Sequence, residues 1–295
     1  MPAKVSDELV EQRIIEQAAR LPAGTAVTGW AALRLAGGNY FDGLTDGGRS
    51  RRPVPLALGQ SGTLKPGRGA TVSREPLGDS EIWMLHGVRC TRPLRALFDE
   101  MRSVADDREA VVAMDMAAAA RLVAVWQMVE YWEGHSGWRR AQRVGRTLPL
   151  AEERSRSPAE SRLRLFWVLD AGLPRPLCNR PVFDLDGRHL GTPDLLDLET
   201  GVVGEYDGKV HLNAGRRAKD AARQCRFRDA GLEYFEVLAP DMHDRDLVVR
   251  RMLSARNRAI EARRPRRWTV DPPDDWPTEL TYGEELRWRR SLHEL

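Results

Sequence analysis

The sequence predicts a two-domain protein of mixed α/β (α+β) class, and three observations carry that expectation. Its 295 residues exceed what one hydrophobic core usually serves. The C-terminal part runs in the order helix, strands, helix, strand, helix, which calls for a mixed sheet with helices packed on it. Between the two halves, Leu148 to Pro158 is polar and aperiodic, as a linker is. The expected domains are 1–150, helical and β-rich; 155–263, a mixed sheet flanked by helices; and 264–295, a tail rich in Pro and Trp.

Composition narrows the setting. Hydrophobic residues at 42% suffice for real cores, and a net charge of +3 on a chain that is 30% charged gives a nearly balanced surface. A pI near 8.9 suits a polyanionic partner and suits a bland soluble protein equally. The cysteines Cys90, Cys178 and Cys225 are odd in number and widely spaced, against a disulfide framework and a structural zinc site. The N-terminus has no apolar signal core and no stretch approaches membrane-span length, so the expectation is a cytoplasmic protein with no membrane partner.

In the first half, helical spacing covers residues 7 to 20, with Ser6 and Asp7 as caps, and Thr28 to Ala36, with Thr28 as cap and Gly37-Gly38-Asn39 as terminator. Such a pair is either ordinary helical packing or a helix-turn-helix opening a winged helix; its second helix carries only Arg34 for DNA. Strand-like runs follow at 54–58, 70–74 and 81–85, separated by Gly, Pro and Ser turns. Their basic residues, Arg49, Arg51, Arg52, Lys65, Arg68 and Arg74, read as solvated loop charges or as a nucleic-acid surface. Thr91 caps a further helix, and two more are expected over 106–119 and 122–131, where Asp115 reads as a solvated or capping residue.

The second half opens with Ser157-Pro158-Ala159-Glu160, a helix start with Glu160 as the capping-box acid, and Gly172 ends that helix. Asp186-Gly187 between apolar runs predicts a hairpin. The key stretch is Pro193 to His211, PDLLDLETGVVGEYDGKVH, a second hairpin turning through Glu199-Thr200-Gly201 with carboxylates at one end of each strand. An Arg-rich helix over 213–230, a strand over 232–238 and a helix over 244–263 complete the domain.

Unpaired carboxylates in apolar strands cost several kcal/mol, so Asp194 and Glu205 imply a compensating cation, most simply a divalent metal. Mg²⁺, with Mn²⁺ as substitute, takes oxygen ligands and keeps several waters, so two or three carboxylates and a backbone carbonyl suffice. Strand alternation sets Glu205, Asp207 and Lys209 on one face, with Tyr206 and Gly208 opposite. His211 reads as a general base or phosphate ligand, or as a surface residue. Arg216, Arg217, Arg223 and Arg226 could contact phosphates, or form a solvated face paired with Asp220 and Asp229.

At Glu160, Pro193-Asp194, Glu205-Tyr206-Asp207-Gly208, His211, Asp220 and Arg223 the sequence resembles the PD-(D/E)XK nuclease superfamily, in particular its Vsr-like endonuclease branch. The match covers about the C-terminal third of the chain. A looser resemblance, in the helix pair, the β-rich segment and Thr91-Arg92-Pro93-Leu94-Arg95, is to an AbiEi-like antitoxin winged-helix region. The first resemblance implies a restriction-endonuclease-like sheet and a metal-dependent endonuclease acting on DNA, in defence, repair or a toxin-antitoxin setting. It makes Asp194 and Glu205 metal ligands and Glu160 an auxiliary acid. The chain departs from the family at Asp207, where a Lys is usual. Either Asp207 joins the metal site and Lys209 supplies the positive charge, or Asp207-Gly208-Lys209 is itself the acid-x-Lys element. The alternatives to an enzyme are a non-catalytic DNA-binding regulator that keeps the nuclease fold, and a purely structural network of acids.

Overall fold

The computed structural model describes residues 9–45, 48–60, 62–208 and 214–293. The chain divides into two compact units, Met1–Glu153 with Leu280–Leu295, and Arg154–Glu279. Both combine helices with sheets, and among the described residues no helix is long and apolar enough to cross a membrane.

Unit 1 begins with α1 (Val10–Ala18), β1 (Ala26–Val27) and α2 (Gly29–Leu35), then β2 (Leu44–Thr45), β3 (Ser50–Arg51), β4 (Val54–Ala57), β5 (Ala70–Ser73), β6 (Ile82–Leu85) and β7 (Val88–Thr91). Its helices continue with α3 (Pro93–Ser103), α4 (Asp107–Ala119), α5 (Val125–His135) and α6 (Ala141–Thr147). Five strands form one sheet in the order β5-β4-β1-β7-β6, mixed in direction, while β2 and β3 pair separately. Glycine ends α2 as the sequence requires: Gly37 has φ +100°, and the N–H groups of Gly37 and Gly38 reach the carbonyls of Arg34 and Leu33.

Several expected details change. The caps expected at Ser6 and Asp7 lie outside the described residues, and α1 starts at Val10. Thr28 does not cap α2, because its hydroxyl donates to Asp99 Oδ2 (2.7 Å) and accepts from Thr91 Oγ1 (2.9 Å). The Glu100 carboxylate takes its place, accepting the Trp30 N–H at 3.0 Å, where the positive end of the helix dipole favours an anion. Thr91, spent on Thr28, likewise does not cap α3. Asp115 is fully buried rather than solvated, and accepts the Glu152 N–H at 2.7 Å. Residues Gly29 to Leu33 of α2 are core, and Arg34 pairs with Glu11, so the residues a groove-reading helix would offer are spent inside.

Unit 2 contains α7 (Pro158–Leu165), extended by a π turn over Phe166–Asp170, then β8 (Leu177–Cys178), β9 (Val182–Asp184), β10 (His189–Gly191), β11 (Leu195–Asp197) and β12 (Val202–Asp207). It continues through α8 (Ala214–Asp229), β13 (Glu233–Leu238), α9 (Arg245–Ala262) and β14 (Trp268–Thr269). The main sheet runs β13-β12-β11-β8: β8, β11 and β12 are successively antiparallel and β13 is parallel to β12. The second sheet is β10-β9-β14, where Trp268 is buried; Trp276 packs edge-on against Phe183.

Strand alternation divides the main sheet into two faces. Leu195, Val202, Phe235 and Val237 pack with Leu163, Trp167, Val248 and Met252 of the α7 and α9 side. Leu196, Val203 and Tyr234 pack with Phe227 of α8. The hairpin between β11 and β12 is fixed by Asp197, whose carboxylate accepts the Glu199 N–H (3.1 Å) and the Thr200 hydroxyl (2.6 Å), and by Gly201 at φ +73°. At Gly204 a Cβ would lie 2.3 Å from the Phe235 ring, so the closest approach of β12 to β13's aromatic side chain depends on this glycine. Completing unit 1, α10 (Tyr282–His293) donates the Gly283 N–H to Glu153 at 2.8 Å.

Gly204→Ala should therefore destabilise the protein by about 1–3 kcal/mol, the usual cost of overpacking a filled core, measured by urea unfolding. Adding Phe235→Leu should recover part of the loss; a wild-type midpoint for Gly204→Ala alone would contradict the packing described.

Candidate metal and phosphodiester site

The candidate site grows from one register. Leu195 pairs with Gly204 and Leu196 with Val203, so one step further Asp194 stands opposite Glu205. Directly opposed residues on one face have Cβ atoms about 5 Å apart, close enough for two carboxylates to feel each other strongly. Parity puts both on the α8 face of the sheet, with Leu196, Val203 and Tyr234. In the neighbouring parallel strand Glu236 is the register partner of Glu205.

Each acid is held by definite partners. Asp194 Oδ2 accepts the Tyr206 N–H at 2.7 Å. Glu205 is 6% exposed; its Oε2 accepts from the Arg223 guanidinium on α8 and from the Tyr234 hydroxyl, the latter at 3.1 Å. Its Oε1 is buried and has no hydrogen-bond partner among the described residues. Glu160 Oε2 accepts the Arg156 N–H and the Asn179 side-chain amide, both at 2.8 Å, while Ser157 Oγ accepts the Glu160 N–H at 3.2 Å. The cap expected at Ser157 is present, but the return half of the box goes to the Arg156 N–H. Asn179, in left-handed backbone at φ +46°, ties Glu160 to the Arg154 carbonyl and donates its own N–H to the Asp194 carbonyl.

Burial, with the Glu160 charge beside it, pushes the Asp194 carboxyl up to about 6, against the Tyr206 N–H and the cations Arg223 and Arg156. Burial pushes Glu205 up to about 7 against the pull of Arg223, with Asp194 and Glu236 adding to the rise. Tyr234 is pushed up by burial and by Glu205, so it stays a neutral donor. Arg223 thus offsets the buried charge without neutralising it.

The sequence-derived candidates fall into three groups. Glu160, Asp194, Glu205 and Arg223 come together. Asp207 ends β12 half-buried, on the Glu205 face by alternation, while the charges that raise the two central acids are their own, that of Glu160 and that of Glu236. Arg226 donates to the Leu190 carbonyl at 3.2 Å. Lys209 and His211 lie outside the described residues, as do the side chains of Arg216 and Arg217 on α8. Asn179, Tyr234 and Glu236 were not singled out from the sequence. The available signal was Glu236 within the apolar run EYFEVL, an acid at strand parity with Tyr234.

The donor set suits a hard cation in part. Among the described residues no group of three or more His, Cys, Asp or Glu side chains could hold a metal ion by itself. Two facing carboxylates, one with a buried oxygen that lacks a partner among the described residues, match Mg²⁺ or Mn²⁺, which take one or two carboxylates and complete their shell with water and substrate phosphate. Comparison with protein-family models, with curated proteins and with solved structures finds no match for this chain.

The raised carboxyls set a pH dependence. Folded values of about 6 and about 7 lie above the ordinary 3.8 and 4.5, so the fold holds protons that the unfolded chain releases. Their contribution to stability is greatest at low pH, falls from about pH 4 to about pH 7, and stays low above that. Metal-free Asp194→Asn should melt higher than wild type at pH 8 and close to it at pH 4.5, and Mn²⁺ should raise the wild-type Tm at pH 8 but not at pH 4.5. A lower Tm for Asp194→Asn at pH 8 would show the acids to be stabilising as charged groups.

Proposed function

We propose that unit 2 is the core of a Mg²⁺-dependent endonuclease of the PD-(D/E)XK type, Vsr-like in its motif, hydrolysing DNA phosphodiester bonds. The observation that carries the reading is the pair of half-buried Asp194, one residue before β11, and buried Glu205 on β12, facing each other by register, both raised in pKa, and with Glu205 Oε1 unpartnered among the described residues. The main-sheet element order supports it too: a helix, three antiparallel strands, a helix, and a strand parallel to the third are what this reading expects around the acids.

Asp194 and Glu205 would hold the metal, which when bound polarises the phosphate and lowers the pKa of an attacking water. Arg223 and the Tyr234 hydroxyl orient Glu205 through Oε2 and leave Oε1 for the cation. Asn179 and the Arg156 N–H hold Glu160, whose charge favours protonation of Asp194 until a cation arrives. Arg223 sits where a phosphate oxygen beside Glu205 would meet a guanidinium, whose planar fork matches it. The positive charge expected two or four residues beyond Glu205 rests on Lys209 in this reading. In unit 1, α2 does not enter as a groove-reading helix, since it is core there.

One observation favours a second reading, a non-catalytic nuclease fold that binds DNA as a regulator: the Arg223 pairing already supplies Glu205 with a cation. Cleavage separates the two. With 5 to 10 mM Mg²⁺ or Mn²⁺, on the order of usual assay conditions for weakly held metals, the full chain should nick supercoiled DNA. Asp194→Ala and Glu205→Ala should each lower the rate at least about 100-fold while retaining the wild-type circular dichroism spectrum. Equal cleavage by wild type and both variants, or none by wild type on supercoiled, linear, mismatched or single-stranded DNA, would refute the nuclease reading.

A further inference from the structure

Unit 1 contains a cavity of about 860 Å³ that the nuclease reading leaves unused. That volume lies within the range of roughly 300–1,000 Å³ typical of small-molecule sites. Five arginines line it, Arg52, Arg74, Arg102, Arg139 and Arg140, against two acids, Glu75 and Asp99. Glu100 behind the lining pairs with Arg52, so the excess is two positive charges, five minus three.

The acids are already committed. Arg102 is 7% exposed and spans both, with Nη2 on Asp99 Oδ1 (2.6 Å) and Nη1 on Glu75 Oε1 (3.0 Å). Its Nε is buried with no hydrogen-bond partner among the described residues. Arg52 is held by Glu100 at 2.6 Å. Arg74, Arg139 and Arg140 are exposed and have no ion pair among the described residues. Arg140 has left-handed backbone at φ +62°, uncommon for a residue with a Cβ and often associated with functional positions. The remainder of the wall is largely apolar, with Pro53, Pro55, Leu56 and Val72.

We propose that this cavity binds an organic phosphate of nucleotide size. A single carboxylate would leave half of the excess charge unmet, whereas a phosphate carries nearly two negative charges at neutral pH and three oxygens that match guanidinium forks. The apolar wall accommodates the organic part, and Arg74, Arg139 and Arg140 present exposed guanidinium groups that carry no ion pair among the described residues. Exposed Arg74, Arg139 and Arg140 attract the anion, while buried Arg102 and Asp99, with half-buried Glu75, keep the pocket in shape. This site is independent of Asp194 and Glu205 and stands whether or not unit 2 cleaves DNA.

Calorimetric titration of the full chain in EDTA tests it, with AMP, adenosine, and a short DNA strand bearing either a 5′-phosphate or a 5′-hydroxyl. AMP should bind with Kd below about 1 mM and adenosine should not. Arg139→Gln with Arg140→Gln, both surface changes, should weaken AMP at least about tenfold at an unchanged Tm, and Asp194→Ala should bind AMP as wild type does. Binding of the 5′-phosphorylated strand but not AMP would still support a phosphate site and assign its source to a nucleic-acid end. The proposal is overturned if neither phosphate binds, if adenosine binds as well as AMP, if the double variant binds unchanged, or if Asp194→Ala abolishes binding.

Discussion

The site in unit 2 depends on the register that sets Asp194 opposite Glu205. A one-residue slip of β11 against β12 would send Asp194 to the other face, among Leu195, Val202 and Phe235, where a charge has no partner. The hairpin prevents that slip locally. Asp197 binds its own turn through the Glu199 N–H and the Thr200 hydroxyl, Gly201 takes the positive φ, and Arg256 holds the Asp197 carboxylate at 3.2 Å. Turn chemistry thus places two like charges side by side, where they would ordinarily repel.

Burial then decides how those charges behave. In solvent, neighbouring carboxylates would be screened; here desolvation outweighs the nearby cations, and both acids rise. Arg223 and Tyr234 fix one oxygen of Glu205 and leave the other unpartnered among the described residues. Unit 1 treats its buried charges differently. There Arg95, Asp99, Glu100 and Arg102 share one helix and pair as opposite charges: Arg95 Nε on Asp99 (3.0 Å), Arg102 on Asp99, Arg52 on Glu100. Paired burial of that kind shapes a pocket, whereas two facing acids with one unpartnered oxygen among the described residues invite a cation.

Much of unit 2 was legible because its signals are local and strong. Ser157-Pro158, Gly172, Asp186-Gly187 and Glu199-Thr200-Gly201 each dictate a cap or turn through their own backbone requirements, and the elements between them follow. The facing of Asp194 and Glu205 followed from hairpin alternation. Pairs of residues such as Ala26–Val27 and Leu177–Cys178 are too short to show a period, and become strands only because neighbours pair with them. Thr28 and Thr91 looked like caps by residue type, but each hydroxyl found the other, and Asp99, from more than 60 positions away. Asn179, Tyr234 and Arg223 act on the acids through tertiary contacts, which no spacing rule along the chain reveals.

The most direct measurement of the central claim is Mn²⁺ binding to the full chain, followed by electron paramagnetic resonance at pH 8. The account predicts a bound Mn²⁺ signal in wild type that is lost in Glu205→Gln and, separately, in Asp194→Asn, with the fold of both variants intact. A wild-type protein that leaves Mn²⁺ free in solution, or variants that bind it as wild type does, would contradict the assignment of these two carboxylates as a metal site.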